Sequence, residues 1–270
     1  MAFSLGAIAQ SAPLIKRTTY KTDKFDFGVG GTLSVIGAPS GSIRIEGWSN
    51  REIEISAEIE VQAANEADLQ RLAAVTTFIL DESLGRTSIT SVGPNNKKYI
   101  RRLDKKFPKA LLGMPFRIDY VIKVPKYCDL LIDGGKGDLS ISGVEGTMKL
   151  NFLETNATIE LLGGSTTAVF GAGTVDVRVP TASWRGRYTD IQMANGTMNV
   201  ILPQSLNAEV DATILRTGKI ENGYESFKPR VRTAVFTDKS IVAKTGEGGT
   251  ALKFTVGDGT LNIKTLNKQM

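Results

Sequence analysis

The sequence predicts an all-β protein, and three observations support this prediction. A five-residue pattern recurs in which a glycine precedes a small polar or charged residue and then an apolar, a polar and an apolar residue. Glycine accounts for 28 of the 270 residues, which exceeds the usual share of about 7%. No uninterrupted apolar stretch reaches the roughly 18 residues of a membrane-spanning helix. The pattern begins at Gly31, Gly41, Gly137, Gly146, Gly173, Gly196 and Gly259.

The pattern predicts short strands that are separated by tight corners. Glycine tolerates the backbone of such a corner, and the alternation sends successive side chains to opposite faces of a strand. Inward apolar residues recur in steps of 20, 23 and 22 residues, from Leu139 to Ile159, from Val175 to Met198 and from Met198 to Ile220. Turns of this length that stack on one another are typical of a parallel β-solenoid.

An antiparallel β-sandwich is the alternative architecture, because it also contains short alternating strands. Its hairpins favour Asn-Gly and Asp-Gly dipeptides. Such dipeptides occur at Asn195-Gly196, Asn222-Gly223 and Asp258-Gly259. Because these are few, we predict one β-solenoid domain over residues 25–270 with one or two short helices.

Residues 1–24 are predicted to be a lead-in to this domain, irregular from residue 10 onward. The segment from Asn65 to Ala74 predicts a helix, since Asn65 is a good N-cap and acidic residues follow it. Strands are predicted at 25–29, 32–36, 42–46, 52–61, 76–81 and 86–92, and nearly continuously after Ile118.

A basic insertion interrupts the strands at residues 94–114. Seven cations and one acid give this window a net charge of +6, compared with +5 for the whole chain. Apolar residues at Ile100, Leu103, Phe107 and Leu111 predict one face of a short amphipathic helix that is interrupted at Pro108. The cations, which we predict to form an interaction surface, are Lys97, Lys98, Arg101, Arg102, Lys105, Lys106 and Lys109.

The partners that this basic segment suggests are an anionic envelope polymer, a lipid surface or a glycan. Each would bind through a salt-sensitive electrostatic attraction. Nucleic acid is disfavoured, because the rest of the chain has a charge near −1. The alternative is a solvated helix that covers one end of the strand stack.

The residue inventory excludes several kinds of chemistry. The chain has no histidine and one cysteine, Cys128. These counts exclude a histidine base, a Ser-His-Asp triad, an internal disulfide and an ordinary zinc site. We therefore predict no catalytic, cofactor-binding or metal-binding residue, and we expect Cys128 to be a small buried apolar residue.

Residues 1–9 end in Ala7-Ile8-Ala9, which has the small-x-small form of a signal-peptidase site. The basic region of a leader is missing, so we interpret residues 1–9 as a truncated export signal. This predicts a periplasmic, surface or secreted protein and leaves a cytoplasmic one open.

One aromatic pair suggests a second contact region. Strict alternation through Ser183–Tyr188 would place Trp184 and Tyr188 on one face of a strand and Arg185 and Arg187 on the other. An outward aromatic face could stack on planar ligands such as sugar rings. Packing of both rings inside a wider turn is the alternative.

The run from Gly137 to Gly146, the preceding Val124-Pro125 and the closing Gly248–Ile263 together resemble a bacterial putative-adhesin family of unknown function. The resemblance covers most of residues 26–265 and implies a β-solenoid on an exported or envelope-associated protein. The basic insertion at 94–114 departs from the family pattern. The family defines no catalytic residues, so the resemblance implies none here.

Together these observations predict a non-enzymatic, exported, adhesin-like interaction module with an unknown ligand. A scaffold that assembles through open solenoid ends is the first alternative. A glycan-active enzyme is the second, because the outward acids Asp138, Glu160 and Asp176 could lie near one another on adjacent turns.

Overall fold

The computed structural model describes residues 14–83, 85–233 and 235–266. These residues form an all-β protein with two short α-helices and one large, open sheet of 17 strands. Neither helix in the described residues has the length and apolarity needed to cross a membrane. The predicted export signal at 1–9 lies outside the described residues.

The N-terminal part of the chain contains seven strands and both helices. They are β1 (Ile15–Asp26), β2 (Thr32–Ile36), β3 (Ile43–Trp48), β4 (Glu52–Ala63), α1 (Glu66–Val75), β5 (Thr77–Ser83), β6 (Arg86–Val92), α2 (Lys97–Leu103), a 3-10 helix (Lys109–Leu111) and β7 (Phe116–Pro125).

The rest of the chain is strand and corner. The strands are β8 (Asp129–Lys136), β9 (Leu139–Ser142), β10 (Gly146–Glu160), β11 (Gly163–Arg178), β12 (Arg185–Leu202), β13 (Ala208–Ile214), β14 (Gly218–Gly223), β15 (Lys228–Pro229), β16 (Ser240–Thr245) and β17 (Thr250–Thr265).

The strands stack into two ladders, because each long strand bends at a corner and pairs on both sides of it. In the first ladder the order is β5, β6, β2, β8, the first half of β10, β11, β12 and β17, then β13, β16 and β15. In the second the order is β1, β4, β7, β3, β9, the later halves of β10, β11, β12 and β17, then β14. The central pairs of both ladders are parallel.

The register confirms some of the predicted steps and corrects others. Val175 lies opposite Met198, as expected from the step of 23 residues. Leu139 lies opposite Ala157 and not Ile159, a step of 18, because a small inward alanine was overlooked in the apolar pattern.

The C-terminal strand is inserted into the stack, which corrects the predicted order of turns. Met198 was expected to neighbour Ile220, but both of these residues lie opposite Leu261. Strand β17 therefore separates β12 from β13 and β14. Sequential strands are neighbours only about two-thirds of the time. The repeated pattern does not distinguish the three segments, which differ only in that the copy at Gly218 stops one residue short.

Glycines form a column at the corner between the ladders. Gly173 lies opposite Gly196, which lies opposite Gly259. Gly259 has a φ of +137°, and a Cβ atom there would lie 1.8 Å from the carbonyl oxygen of Gly196. The column is therefore required both by backbone conformation and by the close approach of adjacent strands.

One hydrophobic core is filled from both ladders. Inward residues such as Phe170 and Phe254 of the first ladder, and Val177 and Ile263 of the second, belong to the same buried cluster. The ring of Phe152 stacks on that of Phe170, with the centroids 6.3 Å apart. Burial of these side chains supplies the main stabilisation of the stack.

Helix α1 covers the core near β4 and β1. The predicted N-cap is confirmed, since the Asn65 side chain accepts a hydrogen bond from the Asp68 N–H at 2.9 Å. Leu69, Leu72 and Val75 are the buried residues of the helix. The predicted helix therefore caps one end of the stack.

The irregular lead-in predicted over residues 10–24 is wrong within the described residues, because β1 extends over Ile15–Asp26. The strand predicted at 25–29 is correct only for Phe25 and Asp26, the last residues of β1. Strand β1 pairs antiparallel with β4 along its whole length. Lys16 and Lys24 form ion pairs with Glu60 and Glu52 of β4, at 2.5 and 2.8 Å. Since β1 is polar on both faces, its sequence lacks the alternation that identified the other strands.

Candidate functional site

The basic segment, residues 97–109, joins the end of β6 to the approach to β7. Helix α2 begins after Asn96, whose side chain accepts a hydrogen bond from the Tyr99 N–H at 3.0 Å. The helix ends at Leu103, and Pro108 precedes the 3-10 helix Lys109–Leu111. The predicted short helix with a break at Pro108 is thus present, although the regular α-helix is only seven residues long.

Three of the four predicted apolar contacts of this segment are confirmed. Ile100, Phe107 and Leu111 are buried in the core cluster. Leu103 is 54% exposed, so its predicted place on the same apolar face is wrong. Leu103 is the last residue of the helix, and the chain is extended at Asp104 (φ −142°). The helix therefore ends before its apolar face continues past Leu103.

The seven cations of the basic segment are all exposed. Within the part of the chain that the structure describes, none of them forms an ion pair. The segment's acid, Asp104, accepts a hydrogen bond from the Lys106 backbone N–H at 2.8 Å. Elsewhere lysines do pair with acids, as Lys123 does with Glu54 (2.8 Å) and Lys136 with Glu154 (2.7 Å). The basic segment is therefore a surface of positive charge that the fold does not neutralise.

The predicted aromatic face at Trp184 and Tyr188 is wrong, because a β-bulge interrupts the alternation. Gly164 lies opposite Gly186, whereas Ser165 lies opposite Tyr188, so one extra residue is accommodated in β12. Trp184 is half-buried against the core and covers Gly186, where a Cβ atom would lie 1.9 Å from the indole ring. Tyr188 is 41% exposed, and its hydroxyl donates to Asp190 Oδ2 at 2.9 Å.

The same bulge leaves Arg185 and Arg187 exposed on either side of the buried Gly186. Both arginines line a surface groove with Tyr127, a residue to which the sequence analysis assigned no role. The alternation gave no signal for this arrangement, because a bulge adds a residue without changing the local composition.

The three outward acids lie in different rows of the ladders. Each accepts a hydrogen bond from a neighbouring turn. Asp138 accepts from Asn156 Nδ2 (3.2 Å), Glu160 from the Gly143 N–H (3.2 Å) and Asp176 from Asn199 Nδ2 (2.6 Å). This arrangement links adjacent strands, and register does not place Asp138 and Asp176 side by side.

Cys128 is buried, as predicted. Burial raises the pKa of its thiol to about 12, so the reactive thiolate does not form near neutral pH. No group of three or more cysteines or acids within the described ranges is placed to hold a metal ion.

No protein-family model matches the chain, and no curated protein matches it in sequence. Its fold is similar to that of a solved protein described as a putative cell adhesion protein from Clostridium sporogenes, with a TM-score of 0.52 and 14% identity over 93% of this chain and 100% of that one. A solved putative adhesin from Bacteroides fragilis aligns with a TM-score of 0.38 and 9% identity, over 91% of this chain and 97% of that one.

The first comparison bears on the resemblance that the glycine repeats suggested. At 14% identity the comparison with the Clostridium protein is evidence of fold alone. The predicted resemblance to bacterial putative adhesins is confirmed at this level. The similarity in fold covers 93% of this chain.

Proposed function

We propose that this protein is a non-enzymatic, exported, adhesin-like module of the cell envelope, which binds an anionic surface through its basic segment. We further propose that the two ladders wind as a parallel β-solenoid. The observation that carries the functional proposal is the set of seven exposed cations without an acidic partner in the described chain.

The register supports the solenoid. Leu130 lies opposite Met148, and Gly146 lies opposite Gly164, so two successive turns each use 18 residues. The strands of both turns run in the same direction, as a solenoid requires and as hairpins between two facing sheets do not. The single core between the ladders fits a stack of turns around one aliphatic column.

The electrostatics of the basic segment support the anionic partner. A buried apolar side, formed by Ile100, Phe107 and Leu111, holds the segment on the core. Its charged side extends into solvent, where each basic residue near an anionic membrane contributes about 1 kcal/mol of attraction. Seven such charges provide enough attraction to hold the protein at a surface at moderate salt.

The adhesin-like role and the exported location rest on relatives and on residues 1–9. The similar Clostridium protein is described as a putative cell adhesion protein. An envelope polymer would be met outside the cytoplasm, and the Ala7-Ile8-Ala9 sequence has the small-x-small form of a signal-peptidase site. Both considerations support the proposed exported location.

The outward face supports a non-enzymatic role. Asp138 and Asp176 do not form a carboxylate pair, because the register places them in different rows, and each accepts a hydrogen bond from an asparagine of the next turn. A glycosidase of the usual kind needs two acids that flank one glycosidic bond. These hydrogen bonds between asparagine and aspartate side chains link adjacent turns instead.

The ends of the stack favour a discrete module over a self-assembling scaffold. At one end of the stack, β5 pairs antiparallel with β6 and β4 pairs antiparallel with β7. At the other end of the first ladder, β16 pairs antiparallel with β13. The outermost strand β1 carries charged side chains, a feature that discourages edge-to-edge pairing. Turns from another copy could meet parallel strands only at β14, which ends the second ladder, because the other outer strands pair antiparallel.

Neutralising four cations of the basic segment should abolish binding to anionic vesicles. The variant K97Q/K98Q/R101Q/R102Q removes about 4 kcal/mol of electrostatic attraction, which corresponds to a loss of about a thousandfold in affinity. Co-sedimentation with vesicles of phosphatidylcholine and phosphatidylglycerol, across a salt series, measures this loss. Binding of the unaltered protein should weaken as salt rises.

The matched control is K149Q/R178Q/K228Q/K264Q, which removes the same charge from exposed basic residues on strands. We expect this control to bind vesicles within a few-fold of the unaltered protein. An equal loss in the two variants would show that only net charge matters. Failure of the unaltered protein to bind at low salt would contradict the proposed anionic surface.

A further inference from the structure

A groove of about 390 Å³ lies where the turns of the first ladder begin, at the starts of β8, β10, β11 and β12. Its floor includes Gly146 and Gly164, which lie opposite each other in register. A Cβ atom at Gly164 would lie 2.0 Å from the Gly146 carbonyl oxygen. Close stacking of the turns therefore excludes a side chain at Gly164.

The β-bulge in β12 forms one wall of this groove. It places Arg185 and Arg187 on the exposed side, separated by the buried Gly186. The indole ring of Trp184 packs over Gly186 and against the core, so the backbone between the arginines is held in place. The two guanidinium groups thus extend from a fixed base.

The arginines of the groove have no acidic partner in the described chain, although two carboxylates line the same groove. Asp129 Oδ1 accepts a hydrogen bond from the Thr147 N–H at 2.6 Å. Glu145 Oε2 lies 3.9 Å from Lys126 Nζ. Both carboxylates are engaged on their own side of the groove, which leaves the donors of Arg185 and Arg187 open to a ligand.

A tyrosine ring lines the groove as well. It belongs to Tyr127, which is 51% exposed. Sugar rings present apolar faces that pack against aromatic rings, whereas guanidinium groups form paired hydrogen bonds with carboxylates and sulfates. The groove combines both kinds of contact, and its volume falls in the usual range for small-ligand sites of about 300–1,000 Å³.

We propose that this groove binds an acidic oligosaccharide, with Arg185 and Arg187 on its carboxylate or sulfate groups and Tyr127 against a sugar ring. The site is separate from the basic segment. The groove lies at the beginning of the first-ladder strands, whereas the basic segment follows the end of β6 in the same ladder. This proposal does not depend on the proposed function.

The test is isothermal titration of the full chain with tri-galacturonate and with a sulfated chondroitin disaccharide. The unaltered protein should bind at least one of them, and R185Q/R187Q should bind it at least tenfold more weakly. Tyr127→Ala should weaken saccharide binding while the chain keeps its thermal unfolding midpoint. Vesicle binding by R185Q/R187Q should be unchanged, which separates this site from the basic segment.

The control K228Q/K264Q also loses two positive charges, at residues that do not line the groove. It should bind the saccharides as the unaltered protein does. Failure of both acidic probes to bind would overturn the proposal. So would equal binding of a neutral galactose trisaccharide, or an equal loss in the control. Sodium sulfate that binds as tightly as the saccharides would reduce the groove to a simple anion site and overturn the saccharide assignment.

Discussion

Gly259→Ala is expected to destabilise the protein by about 4 kcal/mol or more, at the extreme of single substitutions. Gly259 has a φ of +137°, which disfavours alanine, and the new Cβ atom would lie 1.8 Å from the Gly196 carbonyl oxygen. Strand β17 cannot move away from this contact, because it is paired on its other side with β13 and β14. Urea unfolding, followed by circular dichroism, measures the change.

The matched control for this experiment is Gly28→Ala. No atom would lie within 4 Å of the added Cβ, and its φ is not in the left-handed region. We expect the control to unfold at the same urea concentration as the unaltered protein. An unfolding midpoint for Gly259→Ala that equals that of the control would mean that the turns do not approach each other at this corner.

Phe254→Ala is expected to cost about 3–5 kcal/mol, the usual range for deleting a fully buried ring. Phe254 has no exposed surface, and it lies between Ile191 of β12 and Ala212 of β13. The cavity would open in the middle of the stack, where strands on both sides restrict collapse. The change is measured as the difference in free energy of unfolding in urea.

Val235→Ala serves as the comparison, because Val235 is 80% exposed and its truncation should change stability by less than about 0.5 kcal/mol. If the C-terminal strand were a peripheral addition, Phe254→Ala would also have a small effect. A loss below about 1 kcal/mol would therefore argue against the inserted position of β17.

The repeats predicted much of the core, because alternation identifies inward residues without knowledge of their neighbours. Leu139, Val175, Met198 and Leu261 are all buried as the pattern indicated. Pairing order is a different kind of information. The segments around Met198 and Leu261 have the full pattern, and the segment around Ile220 has it up to Glu221, so local sequence cannot decide which two are adjacent, and the insertion of β17 was missed.

The candidate sites were predicted less completely, for two physical reasons. The cations of the basic segment were identified because charge density is visible in composition, and all of them proved to be exposed. The groove was not identified, because it depends on the β-bulge opposite Gly164 and on contacts between turns. Tyr127 and Arg187 lie 60 positions apart and meet only through the stacking of β8, β10, β11 and β12.

Disulfide trapping tests the inserted position of the C-terminal strand most directly, because it shows which strands are neighbours. Thr197 lies opposite Thr260, and Thr260 lies opposite Lys219. Adjacent strands are about 4.8 Å apart, within reach of a disulfide, whereas strands two positions apart are about 9.6 Å apart and out of reach. In a Cys128→Ser background, the account predicts that the T197C/T260C pair crosslinks under mild oxidation and that the T197C/K219C pair does not. Crosslinking of the second pair without the first would contradict the inserted position of the C-terminal strand.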